Sequence, residues 1–128
     1  MLFLFALRRT RVLALSIGLL AGCQSAGEIS GDYVPLIQEP DVAESVRVAR
    51  NHQFHYHYRR GATVFDHSGT WELETRQGHE YLVLRYWQDP HSRCGLNRAA
   101  VASFEREGDQ LWLIKDLPDC AWRKLSTE

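Results

Sequence analysis

From Glu44 to Tyr86 apolar and polar residues alternate with a period of two, and this constrains the fold more than any other feature of the chain. A helix would repeat its apolar face every three to four residues, whereas a strand half-buried on one face repeats it every second residue. Val46 and Val48 flank Arg47, and Phe54, Tyr56 and Tyr58 alternate with His55, His57 and Arg59. Phe65, His67, Gly69, Trp71 and Leu73 then alternate with Asp66, Ser68, Thr70, Glu72 and Glu74.

Facing strands must keep their apolar residues on one side, so the pattern constrains register as well as strand position. Setting Val48 opposite Tyr56 and Val46 opposite Tyr58 requires an odd-length turn around Asn51 and His52, of three or five residues. Arg60-Gly61 supplies the next reversal, pairing Tyr58 with Thr63, Tyr56 with Phe65 and His55 with Asp66. After the turn Arg76-Gln77-Gly78-His79, Leu73 pairs with Leu82, Trp71 with Leu84 and Gly69 with Tyr86. In the last pair an aromatic ring is expected to cover the gap left by the glycine.

A further hairpin is expected from Ala99 to Arg106, turning at Glu107-Gly108-Asp109 and returning through Gln110 to Lys115. Leu111 and Leu113 compete with Trp112 and Ile114 for its inner face. Cys120 to Leu125 adds a closing strand after the break at Pro118, and an earlier strand starts at Tyr33 and is interrupted by Pro35. The expected class is therefore all-β: an antiparallel meander of about seven to nine short strands curling into a small barrel or sandwich, preceded by a helical signal peptide.

The N-terminus carries a different signal. Arg8, Arg9 and Arg11 precede the apolar run Val12 to Leu20, which leads into Leu20-Ala21-Gly22-Cys23. As a helix that run rises only ~14 Å, against a hydrocarbon core of ~30 Å, so a signal peptide is favoured over a membrane span. The motif resembles the lipobox of bacterial lipoproteins. The resemblance implies a diacylglycerol on the Cys23 sulfur, cleavage before that residue and acylation of its amine. Gln24, rather than an aspartate, follows the cysteine and resembles the outer-membrane members of that group.

The expected organisation is a signal peptide over residues 1–22, a flexible tether over 23–31, rich in Ser, Gly and Ala, and a β domain over 32–128. Phe54 to Leu84, with its Gly69-Thr70-Trp71 step, resembles the small lipocalin-like β-barrels of envelope lipoproteins. That resemblance implies a fold and no ligand. The expected location is the outer membrane, lipid-anchored, with the domain facing the periplasm or the cell surface.

Cleavage would remove three of the fifteen basic residues and none of the sixteen acids, leaving a net charge near −4. No basic tract remains to track phosphates, which argues against nucleic acid. Cys94 and Cys120 form an even pair in an exported chain and are expected to make a disulfide.

Gly-x-Ser-x-Gly, His-Glu-x-x-His and phosphate-binding glycine loops are all missing from the sequence, and no enzyme activity is expected. His55 and His57 point to the same side of one strand, and with Asp66 they are candidate ligands for Cu or Zn. The competing reading leaves them solvated, with His55 bonded to Asp66. Tyr81, Val83 and Trp87 fall on the outward face of their strand and are candidates for a partner surface, unless the loop from Gln88 to Arg98 folds over them. The function expected is a non-enzymatic binding or accessory module that meets an envelope protein. The alternative is a barrel that binds a metal or small ligand.

Overall fold

The computed structural model describes residues 29–91, 94 and 100–126, and the leader, Cys23 and the expected strand start at Ala99 lie outside them. Eight strands follow one another in chain order: β1 (Gly31–Pro35), β2 (Val42–Val48), β3 (Gln53–Arg60), β4 (Thr63–Arg76), β5 (His79–Arg85), β6 (Val101–Glu107), β7 (Gln110–Trp112) and β8 (Ala121–Lys124). Each pairs antiparallel with the next, and β8 pairs back onto β1, so the meander closes into a barrel with no open edge. A single 3₁₀ turn, Pro118–Cys120, leads into β8.

The first two turns are each centred one residue away from the expected position, β2–β3 one residue earlier and β3–β4 one residue later. The β2–β3 turn has three residues, closed by Ala49 N–H to the Gln53 carbonyl at 2.9 Å, and its last residue, His52, adopts φ +63°. Val48 therefore faces Phe54, and Val46 faces Tyr56. The β3–β4 turn has two residues, Gly61 and Ala62, so Tyr58 faces Phe65, Tyr56 faces His67, and His57 rather than His55 faces Asp66. Gly61 takes the positive φ, +57°, that such a turn needs at its first central position. A slip of two residues keeps every side chain on its expected face, which is why the inner set survives the correction.

From β4 to β5 the expected pairs Leu73 with Leu82 and Trp71 with Leu84 are present, but the ladder stops at Thr70 with Arg85. Tyr86 does not pair with Gly69: it has φ +64°, its N–H bonds to the Ala100 carbonyl at 2.6 Å, and its side chain is 68% exposed. Phe54, on the other flank of β4, covers the glycine instead. A Cβ on Gly69 would lie 2.6 Å from Phe54 Cε1 and 2.2 Å from the Arg85 carbonyl oxygen.

The left-handed residue at Tyr86 also reverses the alternation, so that Trp87 turns inward and is 2% exposed. Trp87 meets Phe54, Tyr56, Phe104 and Trp122 with ring centroids 5.2–6.4 Å apart, mostly edge to face. In the β6–β7 hairpin Leu111 wins the inner face, with Leu113 packed against the core and Ile114 exposed.

The two ends of the barrel differ. The chain enters at the end with the tight β2–β3, β4–β5 and β6–β7 turns, where Ile29 is already fully buried and its carbonyl accepts from the Tyr33 hydroxyl at 2.6 Å. Ile29 and Gly31, both within the span expected as a tether, belong to the barrel: Ile29 covers apolar surface and Gly31 opens β1. At the same end the Trp71 indole donates to the Ala49 carbonyl at 2.7 Å, and His52 stacks on the Trp71 ring at 4.6 Å. The opposite end carries the Gly61-Ala62 turn and the ends of β1, β5 and β7, from which the longer connections leave.

Candidate functional site

The long connections frame a cavity of about 450 Å³ at their end of the barrel. That volume lies within the ~300–1,000 Å³ range of small-ligand sites. β2 and β3 contribute Glu44 and Tyr58, and the chain after the Tyr86 reversal contributes Trp87, Asp89 and His91. Phe104 from β6 and Trp122 from β8 complete the aromatic wall. Pro35 ends β1 at the rim, so the proline expected to interrupt that strand in fact terminates it beside the cavity.

Asp89 is a buried carboxylate, 3% exposed, and the buried Tyr56 hydroxyl donates to its Oδ1 at 2.9 Å. Burial foremost, then the charge of Asp89 and the neighbouring Glu44 carboxylate, push the Tyr56 hydroxyl far above the ordinary phenol range. Tyr56 is therefore a permanent donor at neutral pH. Nearer the opening, His91 stacks face to face on Tyr58, with centroids 4.2 Å apart and planes within 10°.

Cys94 and Cys120 line the same cavity and are joined, their Cα atoms 5.6 Å apart. The bond ties the β5–β6 connection to the start of β8. It therefore fixes the segment that carries Asp89 and His91 against the strand that carries Trp122.

On the outer face of β3 and β4 the three expected metal ligands do come together. Asp66 Oδ1 lies 2.9 Å from His55 Nε2 and 2.8 Å from His57 Nδ1, and Ser68 Oγ is 2.8 Å from His55 Nδ1. With neutral rings, the nitrogens facing the carboxylate carry the protons, and His55 Nδ1 accepts from the serine hydroxyl. Those hydrogen bonds, from His57 first and His55 second, hold the Asp66 carboxyl below its usual range.

Both rings are aimed at one carboxylate oxygen, so the oxygen occupies the position between them. Among the described residues no group of three or more His, Cys, Asp and Glu side chains is arranged to hold a metal ion. Ser68, His55 and Asp66 are linked in the order of a hydrolase triad. They stand, however, on an exposed strand face whose backbone N–H groups point along the sheet rather than out toward a bound oxyanion.

The expected partner surface is not formed. Trp87 lies in the core, Val83 is buried and Tyr81 is half-buried. Arg76 lies over the Tyr81 ring, 4.9 Å from its centroid, and reaches Ser103 Oγ across β5 at 3.4 Å, while Arg85 pairs with Glu72 beside Val83. Outward positions along β4 and β5 thus hold linked charges over an apolar residue.

Sequence reasoning missed Tyr56, Asp89 and His91 as site residues. Tyr56 reads as one more inward aromatic, and Asp89-Pro90 reads as a loop. The signal in the sequence was the adjacent pair Tyr86-Trp87, which cannot both face inward on a regular strand and so marks a break in phase. Comparison of this chain with protein-family models, with curated proteins and with solved structures finds no match.

Proposed function

We propose that this chain is a non-enzymatic binding module of the bacterial cell envelope, lipid-anchored to the outer membrane through Cys23, that holds a small ligand or a partner's side chain in the cavity at the long-loop end of its barrel. The observation that carries the reading is the cavity itself, aromatic-walled and held by the Cys94–Cys120 bond, with a buried carboxylate in its lining that the Tyr56 hydroxyl holds from behind. Its few fixed polar groups among aromatic rings match the general make-up of binding pockets.

The lipobox resemblance and the disulfide support an exported, oxidised location. Chain polarity is consistent with anchoring as well. The tether joins the barrel at the end of the β2–β3, β4–β5 and β6–β7 turns, so a membrane attachment there leaves the opposite end, with the cavity, accessible.

Two measurements test the proposal. Mass spectrometry of protein isolated from membranes should find Cys23 as an acylated N-terminus, and a retained leader or an unmodified Cys23 overturns the anchor. Native mass spectrometry of the mature protein after exposure to envelope extract should find a retained small molecule or peptide, lost in Leu113→Trp, which adds a ring to the cavity lining. Retention of a protein partner at full strength by Leu113→Trp would place the binding surface elsewhere.

A further inference from the structure

We infer that the cavity selects an organic cation, an alkylammonium or guanidinium group, carried either by a small molecule or by a Lys or Arg side chain of a peptide. The inference rests on the proposed binding role of the cavity and names the chemistry of its occupant. Trp87, Trp122 and Phe104 line the cavity, with Tyr58 beneath the His91 ring, and a cation against aromatic rings is attracted by their negative π faces. Asp89 places a buried carboxylate among those rings, held in position by the Tyr56 hydroxyl at 2.9 Å.

The charge of the lining points the same way. Its described residues include the carboxylates of Glu39, Glu44, Asp89 and Asp119 and one guanidinium, Arg60, which is 3.3 Å from Asp41. Each of the four carboxylates has contacts within the chain, so the inference concerns their sum rather than any one vacant group. The connecting segment 92–99 has Arg93 and Arg98 in its sequence, and even both of these charges together leave the carboxylates in excess. A low-dielectric cavity with that excess concentrates positive ligands.

Aromatic walls favour a soft organic cation over a hard metal ion, which needs about six oxygen ligands around it. A flat guanidinium or a methylene-bearing ammonium can lie against Trp87 or Trp122 while its N–H groups reach Asp89.

The test uses the mature chain with its disulfide intact and reads its tryptophan fluorescence, with Trp71→Phe and Trp112→Phe, both outside the cavity lining, so that Trp87 and Trp122 report alone. Spermidine and the peptide acetyl-Gly-Arg-Gly-amide are titrated separately, beside the same peptide with citrulline, which keeps the shape and loses the charge. Saturable quenching by either cation, at least tenfold weaker for citrulline and weakened by raised salt, supports the inference. The cation that binds tighter identifies the source.

Asp89→Asn should weaken the cation at least tenfold. Glu39→Gln, at the rim and away from the core, should weaken it about two- to threefold without changing the melting temperature, and serves if Asp89→Asn does not fold. Equal binding of citrulline and arginine peptides, or binding indifferent to both variants, overturns the cation reading while leaving the cavity as a binding site. Absence of a response to spermidine, to both peptides and to the same peptide with glutamate in place of arginine overturns both.

Discussion

The Tyr56 hydroxyl donates to the Asp89 carboxylate across 2.9 Å, joining β3 to a residue 33 positions later in the chain. Both groups are buried, so the bond replaces water that each has lost. Removing the hydroxyl takes away a hydrogen bond to a charged acceptor, at a cost of about 1.5–3 kcal/mol. Tyr56→Phe should lower the unfolding free energy by that amount, read as a lower urea midpoint with an unchanged slope. A midpoint equal to the parent's would mean that Asp89 does not depend on this donor.

Trp87 and Tyr86 are neighbours with opposite fates. Trp87→Ala empties a place among four aromatic rings and should destabilise by about 3–5 kcal/mol, the usual range for a large buried aromatic. Tyr86→Ala, on a side chain largely in solvent, should change stability by only about 0.5 kcal/mol. Chemical denaturation of the two variants side by side would reveal the reverse order if Trp87 were the exposed residue of the pair.

Gly69→Ala places a methyl group against the Arg85 carbonyl and the Phe54 ring. The carbonyl belongs to a sheet backbone and cannot step aside cheaply, so a loss of about 1–3 kcal/mol is expected, typical of overpacking. An unchanged melting temperature would indicate that β4 and β5 are less closely apposed there.

Acid and alkali should act on different groups. Asp66 titrates lower in the folded protein than in the unfolded chain, because His57 and His55 bond its carboxylate. The stability it contributes is present above the ordinary carboxylate value near ~4 and is lost as pH falls through the depressed one. Asp66→Asn should therefore flatten the acid limb of a stability profile measured in urea between neutral pH and pH ~3.

Burial pushes the Tyr33 hydroxyl up to about 12, and Tyr56 is shifted in the same direction. An unfolded tyrosine ionises near ~10, so this contribution is complete below that value and is lost as pH rises through the folded values. Urea midpoints that stay constant beyond pH ~11 would contradict it.

The Cys94–Cys120 bond closes a loop with a sequence separation of 26. The chain-entropy model gives about 3.5 kcal/mol for a loop of that size, and Cys94→Ser with Cys120→Ser should lose about 2–4 kcal/mol. The paired variant should also lose cavity binding before it loses the barrel, because the bond holds the segment that carries Asp89 and His91. A variant that binds its ligand as well as the parent would make the bond a stabiliser of the fold alone.

Strands β2 to β5 and their inner faces were legible in the sequence, because a period of two is a local property carried by the alternating residues themselves, whereas the inner face of β7 stayed open between Leu111 and Trp112. The sequence also pointed to Cys94 meeting Cys120, since setting Cys23 aside as the expected lipobox residue leaves one pairing. Register to the nearest pair was beyond it: slipping Tyr56 from Phe65 to His67 leaves every apolar residue inside, so the pattern is equally satisfied by both. Turn geometry at His52 and Gly61, together with the fit of Phe54 onto Gly69, decided between them. Only the tertiary structure decided the cavity. The break at Tyr86 depends on a hydrogen bond to Ala100 and on space for Trp87 among rings from three other strands, and closure of β8 onto β1 then brings Trp122 beside Asp89. Those contacts join residues far apart in the chain, and no local pattern reports them.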